Sequence, residues 1–365
     1  MTTTQNTSIN GRQIAFFSAF VLPVFKLTEV PSLLAKFAKG DLLIPALLHF
    51  ILQTALLCAL LYCASRSKET LATRLENRLG KWTKLLYLLY AVYFLFYAVL
   101  PLLDLEKFVY AAFYDTAPTL FSFAFFFFFS AFLCVKHIKT VGRFADLSLF
   151  LFLFPFLALL LASLAEADFT NLSPLFEQSF GSSFRAFFYT QPHFSDVTVL
   201  LPLILHLRFE KKDGAKITMG YLLGATLTVV FLIVFYGVYS TVAPRQHYAF
   251  SKIAQYFPPL AVIGRVDLLL VYVLCIVLVF ATALPLFYTV DFTARAFGKG
   301  NKLVLSAIIN VGAFFFVLFC NKYYDRIYAF FGNGLPVLFI LFSLLPLLLL
   351  LLKEKTTTKK EKLYA

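Results

Sequence analysis

The sequence predicts an all-α integral membrane protein with ten transmembrane helices, and three observations predict it. Of 365 residues, 61% are hydrophobic and only 14% charged, whereas a soluble domain is about one quarter charged. The apolar residues gather in runs of about 20 without strict alternation, the length of a lipid-crossing helix rather than the pattern of a barrel strand. Positive charge alternates between successive connecting segments, as a helix bundle threading a membrane requires.

The spans are expected at 13–36, 42–63, 84–110, 117–135, 144–165, 187–207, 217–242, 262–290, 303–320 and 335–352. With the amino terminus on the cytoplasmic side, the inner segments are 1–12, 64–84, 136–143, 208–216, 291–302 and 353–365. These hold 22 of the 32 Lys and Arg residues. Both termini are therefore expected to be cytoplasmic, and the net charge of +13 is largely a topology signal. Anionic lipid is its expected partner, above all for the basic tail 353–365 with Lys353, Lys355, Lys359, Lys360 and Lys362. Nucleic acid is not expected. The first apolar run follows an uncharged polar start and lacks a short core ending in a small-residue cleavage site, so it reads as a retained span rather than a signal peptide. The five cysteines show neither metal-ligand spacing nor a disulfide framework.

Span one reads QIAFFSAFVLPVFKLTEVPSLLAKFA. Leu22 and Pro23 mark an interruption, because proline removes a backbone donor and crowds the preceding turn. Lys26 and Glu29, three residues apart, are expected to pair with each other or to snorkel towards the outer interface. Span three carries Tyr87, Tyr90, Tyr93 and Tyr97, the last three at helical spacing. That stripe is either packing or, at Tyr93 and Tyr97, pocket lining. Asp104, Glu106 and Lys107 follow, where solvation at the interface is the expectation. The phenylalanine run in 121–130 is assigned packing and no chemistry. Outer loops at 166–186 and 243–261 are long enough for short helices but not for a domain.

Span six reads FFYTQPHFSDVTVLLPLILHL. Pro192 and Pro202 bracket Gln191, His193, Phe194, Ser195 and Asp196. A carboxylate in lipid is costly unless paired or wet, so Asp196 is the leading candidate for a ligand ammonium, a cation or a proton. Spans one and six occupy matching positions in two five-helix halves, 13–165 and 187–352. Interrupted helices so placed point to a midplane site whose free N–H and C=O groups meet a ligand. The alternative is a pair of simple proline kinks. In span eight, Thr282 bonds either its own helix or a ligand, and Tyr288 lies nearby. His49 and His206 are expected to be packed or interfacial. The candidate ligand-binding set is Leu22, Pro23, Tyr93, Tyr97, Phe194, Ser195, Asp196, Thr282 and Tyr288. No metal site or cofactor is expected, and no HExxH or nucleophile-elbow motif suggests an enzyme.

These scattered patterns resemble the spore germination permease family, the GerAB-type B subunits of germinant receptors, within the amino acid–polyamine–organocation transporter superfamily. Pro31 to Lys36 after the first apolar run, DTAPTL from Asp115, VGRFADL from Val141, NLSPLFEQSFGS from Asn171, PHFSDVTVLLPLI from Pro192 and GRVDLLLVYVLCIVLVF from Gly264 carry it. Pro23 stands where the family tends to have glycine, and Phe194-Ser195-Asp196 where it tends to have Phe-Gly-Glu. The resemblance implies a LeuT-like 5+5 inverted repeat with broken helices 1 and 6, and a pocket between spans one, three, six and eight. It further implies a nutrient-sensing subunit of the spore inner membrane that binds an amino acid or similar molecule and works with A-type and C-type receptor subunits. A secondary amino-acid or amine transporter and a ligand-gated ion-conducting subunit are the alternative functions.

Overall fold

The computed structural model of the protein describes residues 9–67, 69–113, 119–173, 176, 178–255, 266–298 and 301–351. Residues 115–118 of the DTAPTL stretch, Pro174, the pair Pro258–Pro259, Gly264 and the basic tail lie outside them. The described residues form helices, with one isolated parallel bridge between Ile9 and Leu207.

The helices, in chain order, are α1 (Gly11–Phe16), α2 (Val30–Ala38), α3 (Leu43–Ser65), α4 (Leu71–Leu79), α5 (Thr83–Phe113), α6 (Thr119–Val135), α7 (Ile138–Leu164), α8 (Phe180–Thr190), α9 (Asp196–Leu205) and α10 (Asp213–Tyr239). They continue with α11 (Ala249–Gln255), α12 (Val266–Phe297), α13 (Lys302–Asn321), α14 (Tyr324–Gly334) and α15 (Pro336–Leu351). Among the described residues, six helices are long and apolar enough to cross a membrane, and eight if each of two bent pairs is one span. The other two expected spans fall on α6, a shorter apolar helix, and on the broken pair α8–α9. Span ten begins earlier than its apolar run suggests, because α14 precedes α15 at a 55° bend.

Span one breaks one turn later than Pro23. After α1 the helix widens into a π segment at Phe17–Val21 and then tightens into a 3₁₀ segment at Leu22–Lys26. Pro23 sits in the first turn of the tight segment, where its missing N–H costs little. Leu27 to Glu29 are non-helical, and the two halves meet at 59°. Span six breaks where expected: α8 ends in a 3₁₀ turn at Gln191–Phe194, and α9 restarts at Asp196 after Ser195.

The first half of span one lies directly against α10. A Cβ at Gly220 would collide with the Ala15 carbonyl oxygen, and one at Gly224 with that of Ser18. This small-xxx-small spacing lets two backbones touch in lipid, where packing replaces the hydrophobic effect as the force between helices. Helix α12 packs most extensively on α5 and forms the centre of the bundle.

The expected alternation of segments resolves into two ends. At one end Arg12 and Asp146 pair at 3.2 Å, Asp291 holds Arg295 and Lys302 at 2.8 Å each, and Arg295 meets His206. At the other end Asp41 accepts the backbone N–H groups of Phe176 and Gln178 at 2.6 and 2.7 Å. The 166–186 segment is thereby tied to the segment after α2. All five cysteines are free.

Candidate functional site

The two breaks converge on Asp196. Residue 196 opens α9, so its carboxylate sits in the first turn, where the positive end of the helix favours an anion. Ser195 before it is non-helical and offers no side-chain cap. Instead Gln53 of α3 reaches in, its Oε1 accepting the Val197 N–H at 3.1 Å. Asp196 Oδ1 receives the Lys26 ammonium at 2.6 Å, and Oδ2 accepts the Tyr221 hydroxyl at 2.8 Å. Lys26 and Asp196 are both buried, with side chains 2% and 4% exposed. The Lys26 Nζ also stands 5.3 Å from the centre of the Phe194 ring.

This pairing replaces the local one expected for Lys26 and Glu29. The non-helical Leu27–Glu29 segment and its bend remove the shared helix face on which residues three apart would meet. Glu29 is buried at the far side of the break and accepts from His247 Nδ1 at 2.7 Å. The solvated interface expected for Asp104 and Glu106 is likewise replaced by burial. Asp104 accepts the hydroxyls of Tyr324 and Tyr328, and Glu106 accepts from Asn321 at 3.0 Å. The first half of span ten, α14, supplies the partners of Asp104, and the end of α13 that of Glu106; the polar sequence of α14 does not look like membrane-spanning helix.

Of the other predicted residues, Phe194 is sandwiched with His49, whose ring lies parallel at 4.1 Å and stacks on Phe187 as well. His49 is thus a packed histidine, bonded to Thr190 at 3.1 Å. Ser195 bonds back to the Gln191 carbonyl at 3.3 Å. Leu22 and Pro23 are buried in the tight segment of span one. Thr282 bonds its own helix at the Leu278 carbonyl, 2.8 Å away, so its hydroxyl is taken. Tyr288 is fully buried with a hydroxyl that has no partner among the described residues. The Tyr93 hydroxyl faces Ser195 and Thr198 without closing a hydrogen bond, and both amide atoms of Gln191 are buried and unpartnered. Buried polar atoms without partners are rare in folded proteins, and those of Gln191 and Tyr93 leave spare hydrogen-bonding groups at the break of span six.

Tyr97 lines a cavity of about 10 Å³ with Phe25, Pro101, Pro192, His193 and Phe339. That space is at the limit for a single water. Its walls come from spans one, three, six and ten, while span eight packs on the tight segment of span one. The arrangement is an occluded one: a neutral buried ion pair beside a closed cavity, with spare hydrogen-bonding groups around it. Lys26, Tyr221 and Gln53 are the members that sequence reasoning missed. For Tyr221 a signal existed, since it lies inside the Gly220-x-x-x-Gly224 spacing that marks close helix contact.

The fold and the paired breaks define a multi-pass helical membrane protein with a LeuT-like fold. Similar solved structures include a mutant of the Eremococcus coleocola manganese transporter, at 13% identity and a TM-score of 0.60, covering 93% of this chain and 77% of that one. The same transporter in complex with an aromatic bis-isothiourea substituted compound aligns with a TM-score of 0.59 at 13% identity over the same shares. The spore germination protein family (Spore_permease) matches residues 26–326, and the chain belongs to that family. No curated protein matches the chain. The family and the structural neighbours are permeases or transporters rather than enzymes.

Proposed function

We propose that this protein is the ligand-binding membrane subunit of a spore germinant receptor, taking a small nutrient, an amino acid or similar molecule, at the breaks of spans one and six. The observation that carries the reading is the buried carboxylate of Asp196 at the start of α9, on the same break as the unpartnered amide of Gln191 and the Tyr93 hydroxyl that faces Ser195 and Thr198. The closed cavity admits no nutrient as it stands, so binding favours an opened arrangement of the two breaks. A ligand with higher affinity for that arrangement shifts the population, and the shift is the signal. In this reading both termini are cytoplasmic in the spore inner membrane, and A-type and C-type subunits receive the change.

A secondary transporter is the second reading, supported by the fold shared with a manganese transporter. Among the described residues, no three His, Cys, Asp or Glu side chains gather as metal ligands. Gradient-driven accumulation of a bound nutrient in proteoliposomes would establish the transporter and end the pure-receptor reading.

The test is binding of a panel of labelled amino acids to the purified full chain in nanodiscs, beside Asp196→Asn. Loss of a charge-assisted hydrogen bond predicts weakening on the order of 10- to 100-fold for the ligand that binds wild type. Equal affinity in the mutant removes Asp196 from the site.

A further inference from the structure

We infer that Lys26 is a built-in occupant of the ligand site, and that the site selects a zwitterion by letting the ligand split the Lys26–Asp196 pair. The inference rests on the ligand site proposed above. In the occluded state the two charges neutralise each other at 2.6 Å in a fully buried setting. A ligand ammonium on Asp196 together with a ligand carboxylate on Lys26 restores both partners. A simple amine on Asp196 strands Lys26, and a simple acid on Lys26 strands Asp196. Each leaves a buried charge unpaired, which is strongly unfavourable.

The two partners are held unequally, and that inequality says which one moves. Asp196 is fixed at a helix start, and Tyr221 grips its second oxygen, so one hydrogen bond survives when Lys26 leaves. Lys26 ends the 3₁₀ segment directly before the non-helical Leu27–Glu29, and four methylenes carry its ammonium. It can withdraw by rotation at the break without unwinding either half of span one. Phe25, its chain neighbour, walls the closed cavity. Rotation of the backbone at the break would therefore move one wall of that space together with Lys26. The Phe194 ring face holds the ammonium in the occluded state and is left free for an aliphatic part of the ligand.

The experiment measures, in nanodiscs, each amino acid that binds wild type against its decarboxylated amine and its deaminated acid. Wild type is expected to prefer the zwitterion to both by on the order of 10- to 100-fold. Lys26→Met should lose that preference and favour the amine, while Asp196→Asn should favour the acid. A Lys26→Met protein with wild-type affinity and unchanged preference overturns the splitting. If Asp196→Asn has meanwhile lost binding, the site proposed above still stands. Because Lys26→Met leaves a lone buried carboxylate and can fail to fold, Lys26→Met/Asp196→Asn is made in parallel. Removing both charges keeps the interior neutral, so the double variant should melt near wild type. It should also lose zwitterion binding; retained binding overturns the inference. A wild type that binds no compound of the three classes overturns both this inference and the proposed site.

Discussion

At the scale of single residues, the chemistry of the site turns on how a carboxylate is satisfied away from water. Asp196 was legible in the sequence because an acid inside an apolar run has few physical justifications, and the flanking prolines supplied one. Its partners were not legible. Lys26 lies 170 positions away in the chain, and Tyr221 lies 25 away on a different helix. Spacing along a helix can select only neighbours three or four residues distant, so it offered Glu29 for Lys26. The tertiary bend made that choice wrong. Tyr221 carries a measurable share of the arrangement. Tyr221→Phe removes the donor to Asp196 Oδ2 and should destabilise the unliganded protein by about 1.5–3 kcal/mol, the worth of a hydrogen bond to a charged group. Thermal unfolding in nanodiscs measures it. In an Asp196→Asn background the same substitution should cost clearly less, because the two side chains are coupled through one bond. Equal costs in both backgrounds would place the stabilising role of the Tyr221 hydroxyl elsewhere.

At the scale of elements, a broken helix needs something to satisfy the carbonyls it frees. In span one the connection between α10 and α12 does this. The N–H of Ala249 donates to the Thr28 carbonyl and that of Phe250 to the Leu27 carbonyl, each at 3.0 Å. His247, just before them, pairs with Glu29. The 243–261 loop was expected to carry a short helix, and α11 is there, but nothing in its composition showed that it would cap a break more than 200 residues earlier. The His247–Glu29 contact makes the cap sensitive to pH. The hydrogen bond to Glu29 holds the His247 imidazole above its usual range; Asp104 adds to that pull, and burial and Lys107 oppose it. A histidine with a raised folded-state pKa contributes fully below its unfolded value of about 6.5 and loses the contribution as pH rises through the folded value. Hydrogen exchange at the Ala249 and Phe250 amides, corrected for intrinsic rates, should therefore show protection falling as pH rises. The imidazole is mostly exposed, so the change should be at most on the order of 1 kcal/mol. His247→Gln should abolish the pH dependence; a slope unchanged in that variant would assign it to another group.

At the scale of the whole molecule, hydropathy and charge placement gave the architecture its outline, because lipid leaves a chain so few ways to satisfy its backbone. The long continuous helices α3, α5, α7, α10, α12 and α13 fall close to the expected spans. The differences lie where a span is not one helix: the displaced break in span one, the early start of span six and the polar half of span ten. Those depend on packing between distant segments, which an apolar-run argument does not see. Charge alternation carries one consequence further. The structure gathers Arg12, His206, Arg295 and Lys302, with Asp146 and Asp291 as their partners, at one end, and Asp41, Glu29, His247 and Asp104 at the other. If the basic end faces the cytoplasm, as the Lys and Arg bias predicts, single cysteines will report it. In a variant whose native cysteines are Ala, Ser182→Cys in the 166–186 loop should react with an impermeant maleimide from outside intact cells. Lys81→Cys, in the basic 64–84 segment, should react only after the membrane is opened. The reverse pattern would invert the bundle. It would put the His247 cap and the Asp104 cluster on the cytoplasmic side, so a nutrient reaching the Lys26–Asp196 pair through that end would come from inside the cell.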